Sequence, residues 1–191
     1  MYATVEQLKH YLGITTGTDD ALLSSMLARA QTMIDTHTRR TFEYGTAAAR
    51  TFDAVADVDG AVLWLDTDLC AITSVTNGDG VAVTSGQYVT EPRRVTPYYA
   101  LRLLSSANVA WTYTTDHEGA ISIVGKWAYS ATAPEDIAHC ALRLAAWLYR
   151  QKDTAADLDR PILAGDGNVI LPMALPKDVL DLLKPYRKVA P

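Results

Sequence analysis

Four histidines, His10, His37, His117 and His139, are the side chains best suited to move protons or hold metal near neutral pH. None of them recurs at the four-residue spacing that puts two imidazoles on one helix face, and none has a cysteine at ligand spacing. His139 stands next to Cys140 and three residues after Asp136, the nearest the chain comes to a thiol, base and carboxylate set. Consecutive helical residues point in different directions, so His139 and Cys140 do not face each other, and the expectation is a packed or interface histidine. A hydrolase built on His139, Asp136 and Cys140 would lose its activity in His139→Ala; the expectation is that there is none to lose. Asp57-Val58-Asp59-Gly60 and Asp66-Thr67-Asp68 bring oxygen ligands together as a calcium loop does, but the closing glutamate is missing. Ala164-Gly165-Asp166-Gly167-Asn168 lacks both the dinucleotide glycine pattern and the lysine of a phosphate loop, and no GxSxG elbow occurs. The residues therefore predict no catalytic site, no metal and no cofactor.

These residues are distributed over helices at both ends of the chain and strands in its middle. Thr4 with Gln7 forms a capping box for a helix over Val5 to Leu12, and Gly13 offers the left-handed stop. Asp19 or Asp20 is expected to cap a second helix, in which Leu22, Leu23, Met26, Leu27, Ala30, Met33 and Ile34 recur at three- and four-residue steps to about Thr38. After Arg40 the period shortens. Strands are predicted at Arg50 to Val55, Ala61 to Leu65, Ile72 to Thr76, Gln87 to Thr90, Leu101 to Leu104, Val109 to Tyr113 and Ala120 to Trp127, with a tight turn at Asn77-Gly78-Asp79-Gly80. Pro134, Glu135 and Asp136 open a third helix that is apolar on more than one side. Residues 153–173 read as a long loop, and Pro176 opens a short helix that Pro185 ends. The predicted fold is α+β: a helical body over residues 1–43 and 131–191, with a large antiparallel β insertion, residues 44–130, between its second and third helices.

The 191 residues carry a net charge of -5, so the chain lacks the basic footprint of a protein that grips phosphate backbones. Residues 44–130 hold five Lys and Arg against nine Asp and Glu. The dibasic pairs Arg39-Arg40 and Arg93-Arg94 are read as a solvated helix end and a solvated loop. The opening residues lack the pattern of a secretion signal and no apolar run reaches the length of a membrane span, so a cytoplasmic origin and no membrane partner are expected. Cys70 and Cys140 are expected to be free thiols.

Three stretches together resemble the head-tail connector, or adaptor, proteins of long-tailed bacteriophages and gene-transfer particles. They are Thr4 to Ile14 with Asp19 through Phe42; Gly125-Lys126-Trp127-Ala128-Tyr129-Ser130 through Pro134 to Gln151; and Leu175-Pro176-Lys177-Asp178-Val179-Leu180 through Arg187. The resemblance implies a structural protein of the virion neck, at the head-tail junction, and not an enzyme. It implies a ring, usually of twelve copies, beneath the portal protein, through which double-stranded DNA passes without specific binding. The lower surface would receive the next neck or tail-completion protein. The C-terminal segment would reach the portal, with Leu182, Leu183, Tyr186, Arg187 and Lys188 as its docking residues; its basic, proline-bounded end reads either as a tail that orders when it meets its partner or as a frayed terminus. Leu142, Trp147 and Tyr149, on the surplus apolar side of the third helix, are the expected ring contacts. Another neck component, such as a stopper or tail-completion protein, or a surface-binding module that uses the β insertion, is the alternative.

Overall fold

The computed structural model describes residues 1–151 and 175–188, together with the strand residues 162–163 and 169–170. The chain divides into two compact units, Met1–Arg39 with Pro134–Pro191, and Arg40–Ala133. The α+β organisation read from the sequence is what the structure shows: the described residues form four helices, with the two larger antiparallel sheets lying between the second and third.

In the helical unit, α1 spans Val5–Leu12 and is bounded as its sequence dictates. The Gln7 amide donates to Thr4 Oγ1 and the Thr4 amide to Gln7 Oε1, and Gly13 closes the helix at φ 73°. Helix α2 runs over Asp20–Thr38 and buries Leu23, Leu27, Ala30, Ile34 and Thr38 on one stripe. The expected Asp19 cap is a correction: its side chain makes no capping bond. Its carboxylate instead accepts the hydroxyl proton of Tyr149, so a charge that would have served the helix end ties two helices together. Helix α3, Glu135–Gln151, touches the other three helices and buries Ile137, Cys140, Ala141, Leu144, Ala145 and Ala146. Helix α4, Lys177–Leu183, packs on α2 and α3 through Val179 and Leu183, both fully buried. Pro185 follows inside a 3-10 turn over Lys184–Tyr186.

The β unit holds a three-stranded sheet in the order β1-β7-β4 and a four-stranded sheet in the order β2-β3-β6-β5. The strands are β1 Ala48–Phe52, β2 Val58–Asp59, β3 Val62–Leu69, β4 Ala71–Thr76, β5 Tyr88–Glu91, β6 Tyr98–Leu103 and β7 Ile121–Lys126. Only Cys70 separates β3 from β4, so a single run of chain turns from one sheet into the other, the corner by which packed sheets share a strand. Gly125 of β7 sits inside that corner, where an added Cβ would lie 2.6 Å from Ala71 O. One core fills the space between the sheets, with Phe52, Leu63, Leu69, Leu101, Ile121 and Ile123 among its members. Val109–Tyr113, expected as a strand, is not one: Trp111 drops into the core and donates from Nε1 to Ala61 O at 3.0 Å. Within the expected long loop, Ile162–Leu163 (β8) pairs with Val169–Ile170 (β9); the Gly165-Asp166-Gly167-Asn168 stretch lies outside the described residues.

Candidate interaction surfaces

The groups weighed for catalysis are separated. Cys140 is fully buried and burial pushes its thiol up to about 11, so no thiolate nucleophile is present at neutral pH. Its neighbour His139 is exposed and meets Tyr11 edge to face at 6.5 Å between ring centres. Asp136 accepts the Tyr186 hydroxyl at 3.2 Å. Cys70 is half-buried, its Sγ donating to Lys126 O at 3.3 Å, and both cysteines are free. The paired aspartates weighed as calcium ligands have local roles. Asp57 Oδ2 accepts the Asp53 amide, Asp66 pairs with Arg50 at 3.0 Å and Asp68 with Arg40 at 2.6 Å. Among the described residues no three His, Cys, Asp or Glu side chains are placed to hold a metal ion.

His117 belongs to the β unit's loops. Its Nδ1 lies 3.0 and 3.1 Å from the two carboxylate oxygens of Asp53, whose Oδ1 also accepts the Val55 and Ala56 amides. Those amides, first Ala56 and then Val55, hold the Asp53 carboxyl below its usual range, and the bond to Asp53 raises the His117 imidazole. The raised histidine contributes stability that is complete below its unfolded value, about 6.5, and is lost as pH rises through its folded value. The lowered aspartate contributes above its unfolded value, about 3.9, and is lost as pH falls through its folded one. The stability difference between the wild type and His117→Ala should therefore be largest between about pH 4 and 6.5 and shrink towards pH 9. Thermal melts of both proteins across that range check it; a difference independent of pH would mean that the clasp is not ionic.

The residues expected to meet partners fall into different settings. On α3, Leu142 and Trp147 are half-buried, and Tyr149, also half-buried, spends its hydroxyl on Asp19. In the C-terminal segment Leu182 is exposed, whereas Leu183 is fully buried and serves the helical core. Tyr186 is half-buried, Arg187 is exposed, and the Lys188 amide donates to Thr38 O at 2.8 Å. Through Lys188 the segment is thus already held against its own unit, a correction to the reading of a tail that orders only on a partner.

Of the two dibasic pairs, Arg40 is committed to Asp68 and lies over the Tyr129 ring, while Arg93 and Arg94 are exposed and have no partner among the described residues. A surface that the sequence reading missed is the pair Trp64 and Tyr99, on β3 and β6, whose rings stack within 10° of parallel at 6.1 Å. Each is about half exposed. Large rings in or beside two predicted strands, Trp64 within one and Tyr98-Tyr99 before the other, are the signal the sequence carries for it.

Residues 2–73 match the family of Phage gp6-like head-tail connector proteins, so the resemblance read from the sequence holds over α1, α2 and the start of the β unit. No curated protein matches. Among solved structures the chain is similar to one in the neck of an empty gene transfer agent particle, at 21% identity and a TM-score of 0.59, covering 97% of this chain and 89% of that one. It is similar also to a chain in the virion of a native gene transfer agent particle, at 20% identity and a TM-score of 0.59, with the same coverage. At these identities the likeness is one of fold, and it extends over the helical unit and the β unit alike.

Proposed function

We propose that this protein is a head-tail connector of a tailed phage or gene-transfer particle, a subunit whose work is geometric. The observation that carries the reading is the family match over residues 2–73, supported by the fold likeness to a particle neck chain over 97% of the length. In this role the chain forms a ring beneath the portal, continues the DNA channel and offers its far side to the next neck or tail-completion protein. Leu142 and Trp147 supply apolar contact to the neighbouring copy, with Tyr149 fixing the helix that carries them. Leu182, Arg187 and the outer side of Tyr186 meet the portal, while Leu183 and the Lys188 backbone hold the segment in place. The net charge of -5 keeps the passing DNA unbound. A second reading, a neck component whose β unit receives a partner, is favoured by the exposed Trp64 and Tyr99 stack, because desolvated aromatic anchors dominate binding energy.

Electron microscopy of lysates lacking the gene, beside a complemented control, tests the connector reading. DNA-filled or leaking heads beside separate, complete tails are expected. Joined particles without the gene would overturn it.

A further inference from the structure

A closed ring needs two different, complementary edges on each subunit, since residue sets that meet head to tail cannot be the same patch. The four-stranded sheet of the β unit ends in β2 on one side and β5 on the other, and neither outer edge is paired with a strand among the described residues. The two edges differ in charge. On the β5 side an open cleft of about 250 Å³ is lined by Ser85, Tyr88, Val89, Thr90, Arg93 and Arg94. Both guanidinium groups are exposed and unpartnered among the described residues. On the β2 side Asp59 is exposed in the strand itself. The loop before it carries Asp53 and Asp57 and is tied by the Asp53–His117 contact to Asp116 and Glu118.

The register puts Asp59 level with Val89, a residue of the arginine-bearing cleft. Asp59 stands opposite Val62, Val62 opposite Arg102, and Arg102 opposite Val89, forming one row across the sheet. Two rows further on, the Trp64 amide donates to Asp57 O, and its partner Ala100 faces Glu91. Arg93 and Arg94 come after Pro92 and line one cleft with Tyr88, Val89 and Thr90, so they lie along β5 beside the Val89 row that Asp59 shares. An antiparallel sheet of four strands has its outer strands running in opposite directions, so β5 of one copy against β2 of the next would continue the antiparallel order.

We infer that neighbouring copies join through these edges, the arginine-bearing β5 edge of one chain receiving the acidic β2 edge of the next. The contact rests on the ring reading and adds what the helices do not supply, a polar, directional seam in the β units. Backbone pairing sets its register, and the Arg93 and Arg94 charges against the carboxylates select the head-to-tail order over edge-to-like-edge pairing. Duplex DNA is the poorer occupant of the β5 edge, because residues 44–130 as a whole are acidic.

The test uses full-length chains supplied to a host lacking the gene, with joined particles counted by electron microscopy. R93E/R94E and, separately, D59K/E118K should each lower joined particles by at least about tenfold, because like charges then face each other across the seam. All four changes in one chain should restore joining to within about threefold of wild type, since the charges are exchanged and remain complementary. The altered side chains are exposed, so circular dichroism and melts of the purified chains should match wild type; if R93E/R94E melts lower, R93S/R94S carries the same comparison. Full joining with either single-edge chain would overturn the seam. So would loss without recovery in the four-change chain, the result expected if the arginines met DNA or a different neck protein. Joining in the absence of any copy of the gene would sink the connector reading itself, and is distinguished by the empty-vector control.

Discussion

Leu183→Ala should destabilise the protein by about 2–5 kcal/mol, the range for deleting a fully buried leucine side chain without refilling its space. Leu183 has no exposed surface, nor has Val179 one turn earlier, and the helix that carries them packs on both α2 and α3. The neighbouring Leu182 is 39% exposed, so Leu182→Ala should stay within about 0.5 kcal/mol of wild type and reports instead on partner binding. Denaturant melts of the two variants separate the roles that one heptapeptide helix combines. A wild-type midpoint for Leu183→Ala would mean that α4 is not part of the core. The same burial separates the proposed portal docking from the stability of the fold. Truncation after Met173 would remove two core side chains and the Lys188 to Thr38 bond along with the residues proposed to dock. Loss of binding in such a truncation would then report unfolding as readily as a lost contact, whereas Leu182 and Arg187 substitutions leave the core intact.

Local signals carried much of this fold in the sequence. The Thr4–Gln7 capping box, the Gly13 stop and the apolar stripe of α2 each follow from short-range chemistry, and each stands in the structure at the expected residues. Asp19 shows where such reasoning ends. An aspartate before a helix is a good cap in isolation, but the Tyr149 hydroxyl, 130 residues away, competes for it and wins. The interaction surfaces were less legible for a related reason. Leu182 and Leu183 are chemically identical neighbours, and only the packing of α4 decides which one is core. Arg40 and Arg93 both stand in dibasic pairs, yet one finds Asp68 and the other finds solvent. Whether a charged or apolar side chain is spent inside the fold is a tertiary fact, and it fixes which residues remain for partners.

The segment Val109–Tyr113 has the alternation of a strand and is held in place without becoming one, and Gly78→Ala should reveal what holds it. The turn at Asn77-Gly78-Asp79-Gly80 forms as its sequence demands, with the Gly80 amide donating to Asn77 O at 2.9 Å and Gly80 at φ 82°. Asn77 then does more than turn the chain. Its side chain is buried, donates from Nδ2 to Ala110 O at 2.8 Å and accepts the Thr112 amide at 3.1 Å, so one amide group replaces the ladder a neighbouring strand would have supplied. That clamp brings Gly78 against the same segment so closely that an added Cβ would lie 2.3 Å from Thr112 O and 2.8 Å from Ala120 Cβ. The first neighbour is backbone and cannot rotate away. Relief requires the 110–113 segment to withdraw, which breaks the Asn77 bonds and lifts Trp111 from the core. Overpacking of this kind costs about 1–3 kcal/mol, and here the upper end or more is expected because hydrogen bonds are lost with it. Gly86→Ala, where nothing lies within 4 Å, should change stability by less than about 0.5 kcal/mol. Thermal melts and hydrogen exchange at the Thr112 amide read both effects. An undisturbed Thr112 amide in Gly78→Ala would mean that the segment has room to accept a side chain and that Trp111 alone secures it.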